Sequence, residues 1–150
     1  MEGTQEVNEL VRDLLKGTPT EEVVNPNVGQ FPEAVLDDAA VEVNKSGSLK
    51  IKLIFSDNGR KRFANFQLAE ADSHPLVAKK ALDWQRALGL VEQSSKRGYT
   101  VRGETAEDRL AVANTIAEAI KVAAIGHNIP YRTMESGEFE NHIPMRKQQG

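Results

Sequence analysis

From Val41 to Leu68 apolar and polar side chains alternate with a period of two, the spacing of a strand with one buried face. Asn58-Gly59 interrupts the alternation between S-L-K-I-K-L-I-F and R-K-R-F-A-N-F-Q-L. Asn-Gly suits a type I′ hairpin turn because both of its central residues need positive φ. A two-residue loop there sets Asp57 opposite Arg60, Phe55 opposite Arg62, Leu53 opposite Ala64, Ile51 opposite Phe66 and Leu49 opposite Leu68. Apolar then meets apolar, except at Arg62, whose head can reach water at the turn end. A three-residue loop would shift the pairing by one and set lysines against leucines.

One hairpin earlier, a three-residue loop of Lys45-Ser46-Gly47 with Gly47 left-handed pairs Val43 with Leu49 and Val41 with Ile51. These registers predict a three-stranded antiparallel β-meander. Its buried face is Val41, Val43, Leu49, Ile51, Leu53, Phe55, Ala64, Phe66 and Leu68. Its solvent face carries Glu42, Asn44, Lys50, Lys52, Ile54, Lys61, Phe63, Asn65 and Gln67.

Elsewhere the period is helical. Val7, Leu10, Val11, Leu14 and Leu15 form one stripe over residues 4–16, with Thr4 as cap and Gly17 as stop. Pro19, Pro26, Gly29 and Pro32 make 18–32 an extended connector, and Glu33–Asp38 suits a short helical turn. A second helix is expected from Pro75 to Val91, with Val77, Ala81, Trp84, Leu88 and Val91 inward. Tyr99–Arg102, between Gly98 and Gly103, has the makings of a short fourth strand. Thr105-Ala-Glu-Asp108 is an N-terminal capping pattern opening a third helix, which Gly126 stops. The expectation is an α+β domain over residues 1–125, in the order α-β-β-β-α-(β)-α, with the meander covered by two or three helices. Residues 126–150 are sparse in apolar side chains and read as a loosely packed C-terminal arm.

Composition narrows the function classes. The chain has 150 residues, 39% hydrophobic and 27% charged, which suits one domain. It has no Cys, so disulfides, thiolate metal sites and thiol catalysis are excluded. No apolar run approaches a membrane span and the first residues do not resemble a signal peptide, so a soluble cytoplasmic protein without membrane contact is expected.

The net charge of −3 hides a strong segregation: residues 1–42 hold 10 acidic and 2 basic side chains, and residues 43–102 hold 12 basic and 5 acidic. Lysines around an exposed aromatic ring are what nucleic acid requires of a sheet, cations for phosphates and a ring for a stacked base. The expected contacts are Lys50, Lys52, Arg60 and Lys61 on phosphates, Phe63 stacking and Asn65 hydrogen-bonding. Lys79, Lys80, Lys96 and Arg97 extend the track. DNA and RNA fit equally. Lysines on the wet face of a sheet are also ordinary protection against aggregation, and the acidic N-terminal segment can fold across them. The alternative is a protein-interaction or assembly factor, such as a small regulator, an inhibitor or a viral accessory protein, using the acidic N-terminus and the C-terminal arm. The N-terminal helix stripe would then suit a homodimer.

No catalytic pattern stands out, so neither an enzyme nor a cofactor is expected. Phosphate-loop, dinucleotide and hydrolase-elbow motifs are absent from the sequence. His74, His127 and His142 belong to no metal-ligand spacing. Glu138, Glu140 and His142 alternate and would share a face if extended, but in a loose arm they lack the rigid support that a metal site needs, and no metal is expected.

Overall fold

The bend at Asn58-Gly59 forms with φ of 50° and 86°, the left-handed pair that the dipeptide favours. It joins β3 (Leu49–Asp57) to β4 (Arg60–Gln67), pairing Asp57 with Arg60, Phe55 with Arg62, Leu53 with Ala64 and Ile51 with Phe66. Leu68 closes the ladder by donating its amide to Leu49 O at 2.9 Å. β2 (Val35–Val43) pairs with β3 through Val43–Leu49 and Val41–Ile51, around a loop in which Gly47 has φ 88°. Both hairpin registers therefore follow the alternation of the chain.

The computed structural model describes residues 28–137 and 139–145. The expected N-terminal helix, the homodimer assigned to it and the acidic N-terminal segment before residue 28 lie outside them. Beyond the meander come α1 (Pro75–Ala87), α2 (Ala106–Ala124), β5 (Tyr131–Ser136) and β6 (Phe139–Pro144), with a short β1 (Gly29–Phe31) at the start. The six strands form two antiparallel sheets, in the orders β2-β3-β4 and β1-β5-β6.

That second sheet corrects the architecture expected above, a single meander covered by helices. Residues 131–144, read as a loose arm, form a hairpin whose Tyr131 is fully buried, and Phe31 of the expected connector pairs with Tyr131 across β1 and β5. Few apolar residues were needed because one aromatic ring fills the space. Tyr131 lies 4.6 Å from the Phe55 ring, 5.1 Å from Phe31 and 6.0 Å from Trp84, measured between centroids. Trp84 in turn stacks on Phe66 at 5.9 Å, so α1 and the second sheet cover the same inner face of the meander.

Other corrections are local. Glu33–Asp38 is not a helical turn: β2 begins at Val35, and a bulge between Leu36 and Asp38 breaks its parity, so Leu36 and Ala39 both point inward. Val43, expected on the buried face, is 60% exposed. The second expected helix stops at Ala87 instead of Val91 because Gly89 turns left-handed, with φ 79°. Tyr99–Arg102 is extended but joins no sheet. Its ladder partner is a side chain: the buried Gln85 amide accepts from the Tyr99 amide (2.6 Å) and donates to Tyr99 O (2.9 Å), and Val101 donates to Ala69 O. The third expected helix is present as α2, with Thr105 Oγ1 capping Asp108 N.

Among the described residues no helix is long and apolar enough to cross a membrane.

Candidate functional site

Among the described residues no helix packs on the outer face of the meander. Every residue pointing that way from β3 and β4 (Lys50, Lys52, Ile54, Ser56, Lys61, Phe63, Asn65 and Gln67) is half-buried or exposed, and the packed helices lie on the other side. Strand pairing places Lys52 opposite Asn65, Ile54 opposite Phe63 and Ser56 opposite Lys61. Ile54 and Phe63 thus make a small apolar platform, with Phe63 42% exposed. The Lys52 ammonium stands 4.9 Å from the Phe63 ring centre.

The charge is not all cationic. Glu42, on the neighbouring strand, lies 3.5 Å from Lys50 Nζ and 4.0 Å from Lys52 Nζ. These are solvent-exposed pairs, worth little to stability and open to exchange for another anion. Arg60 and Lys61 are exposed at the turn end.

Of the other expected contacts, Lys80 comes near this face and three do not. Lys80 donates to Asn141 Oδ1 at 2.7 Å and lines a cleft of about 180 Å³ together with Asn65, Gln67, Val77 and His142. Lys79 is paired with Asp83 along α1 at 3.3 Å. Lys96 and Arg97 are exposed in the loop after α1, a helix whose Trp84 packs on the inner face of the sheet, so they belong to the opposite side of the molecule.

His142 closes the floor of that cleft and was missed as a structural residue. Its Nδ1 accepts the outward-pointing amide of Asn65 at 3.1 Å, while Nε2 faces Glu140 Oε1 at 3.3 Å. Both ring nitrogens are thus engaged by groups of the chain itself. The ring ties the edge of one sheet to the edge of the other. Its carbonyl also accepts from Trp84 Nε1 at 3.0 Å. The alternation of Glu140 and His142 was the available signal, though it reads equally as a metal pattern. Among the described residues no three His, Asp or Glu side chains group as metal ligands.

A second polar cluster sits where the hairpin ends meet the second sheet. Arg62 does not reach out to water: it pairs with Asp57 at 2.8 Å, with both side chains largely buried, and its guanidinium stacks 4.0 Å from the Phe31 ring centre. Nearby, Tyr131 Oη and Thr133 Oγ1 are buried with no hydrogen-bond partner among the described residues. Burial raises the Tyr131 phenol above its ordinary value; Arg62 opposes the rise, while Asp57 and Glu140 add to it. This phenol is therefore held neutral and is no base. No family model, curated protein or solved structure matches this chain.

Proposed function

We propose that the chain is a non-catalytic binding protein that takes a single strand of nucleic acid on the outer face of β3 and β4. The observation that carries this reading is the Ile54–Phe63 platform, a partly exposed ring with an ammonium over it, on a sheet face against which no described helix packs. A base stacks on the Phe63 ring as Lys52 moves from it to a phosphate. Lys50, Arg60 and Lys61 lie along the same two strands, and Asn65 and Gln67 offer amides to base edges or sugars. Glu42 competes with phosphate for Lys50 and Lys52, so the site is tuned to modest affinity.

The test is anisotropy of a labelled homopolymeric oligonucleotide, as DNA and as RNA, over a range of salt. Neutralising four phosphates gives a slope of about −3 for log K against log salt. K50E/K52E/K61E abolishes binding, F63S weakens it at every salt concentration, and E42Q tightens it. Binding that survives the triple charge reversal overturns the proposal. The protein-interaction or assembly reading has less behind it, because its C-terminal arm is committed to the second sheet as β5 and β6.

A further inference from the structure

Among the described residues one strand edge of the meander is left unpaired, and its composition suits a copy of itself. In β2 the residues that bond to β3 alternate with those that face away. The Asn44–Ser48 bond (2.8 Å) fixes the phase, so Val41 and Val43 direct their backbone groups outward. Further back, the same edge is closed. Leu36 exchanges bonds with His127 and Gly126, Ala34 O accepts from Ile129, and the Ala39 amide is held by Asp38 Oδ1. What stays open among the described residues is a short edge from Ala39 O to Val43, ending in a valine that is 60% exposed.

We infer that two copies of this chain pair antiparallel through this edge, about a two-fold axis at Val41. The Val41 groups bond to each other, and each Val43 amide donates to Ala39 O of the second copy, giving four backbone hydrogen bonds without disturbing the Asp38–Ala39 contact. The register opposes Val43 to Ala39 and Glu42 to Ala40, so no like charges meet. Polarity selects the second copy and the antiparallel sense. The open edge follows the exposed Asp37-Asp38, which carry a Ser56 hydroxyl and the Lys121 ammonium within the chain, and it runs on to the turn bearing the exposed Lys45. Antiparallel pairing sets Lys45 of each chain beside Asp37 and Asp38 of the other, whereas parallel pairing stacks acid on acid. The bulge at Asp37 confines the pairing to this short segment and prevents a longer, fibre-forming edge. The product is one continuous six-stranded sheet, an isologous dimer.

Sedimentation equilibrium of the full chain tests this. The average mass is expected to rise from 16.5 kDa at low micromolar concentration toward twice that value at high concentration. V43K, a change at an exposed position, is expected to stay at 16.5 kDa throughout. The chain has no native cysteine, so the register can be read directly. Under oxidation A40C mixed with E42C should cross-link, because these positions face each other, while A40C alone and E42C alone should not. The proposal is overturned by a full chain that stays monomeric, whether residues 1–27 or an extended peptide from another protein takes the edge. It is also overturned by V43K associating as the parent does, or by A40C alone cross-linking as well as the mixture. None of these readouts involves oligonucleotide, so they stand or fall apart from the outer-face reading.

Discussion

The two faces of the β2-β3-β4 sheet come from the same strands, yet they are held by different physics. On the inner face Ile51, Leu53, Phe55 and Ala64 are almost wholly excluded from water, and Phe55 packs against the rings of Trp84 in α1 and Tyr131 in β5. On the outer face Lys50, Lys52, Lys61 and Phe63 meet solvent, and the Lys52 ammonium lies over the Phe63 ring. Stability resides on the first and exchangeable contacts on the second, so substitutions only one residue apart along a strand should separate folding from binding.

The largest effect should come from Trp84→Ala. It empties the centre of the inner layer and removes the bond to His142 O, and is expected to cost about 3–5 kcal/mol in urea unfolding. His142→Ala, which unties the β4 edge from β6, should cost about 1–3 kcal/mol, because it leaves the half-buried Asn65 amide without its acceptor. Loss of less than a few tenths would mean that the two sheet edges do not depend on this ring.

Tyr131→Phe should be nearly neutral or stabilising at neutral pH, since the hydroxyl it removes is buried and unpartnered. The same variant sharpens the comparison at high pH. The folded chain raises the phenol above its ordinary value of 10.0, so the neutral form is favoured by folding. That contribution is fully present below pH 10.0 and is lost as pH rises toward the folded value, so the parent should lose stability in this window and Tyr131→Phe should lose less. The outer face should matter little to folding. K50E/K52E/K61E should change unfolding free energy by about 1 kcal/mol or less, because its ion pairs are exposed. A large loss would show that this face carries fold stability after all.

What could be read along the chain was whatever depended on neighbours in sequence. The two hairpin registers, the capping of α2 by Thr105 and the apolar side of α1 are local matters of turn chemistry and period. The β5–β6 hairpin of the second sheet was not legible, because its buried positions include Tyr131, Thr133 and His142, residues that count as polar in a hydropathy pattern and become interior only through partners far away. Ile129, Tyr131 and Thr133 do alternate, and Gly137 marks the turn with φ 64°, but too few greasy side chains follow to distinguish this from an arm. The bulge at Asp37 concealed the start of β2 in the same way, since one extra residue breaks a period of two. On the outer face Lys50, Lys52, Lys61 and Phe63 followed from strand parity alone. The departure of Lys96 and Arg97 could be seen only once α1 had chosen its side of the sheet.

The chain contains a single tryptophan, and its indole sits where α1, β4 and β6 meet. This gives the molecule a built-in optical gauge. Emission from the native state should be blue-shifted and shielded from iodide or acrylamide, and it should redden when either sheet lets go of the helix. A strand of nucleic acid laid on the far side of β3 and β4 should leave the signal untouched, so one fluorophore separates an opened interior from an occupied exterior.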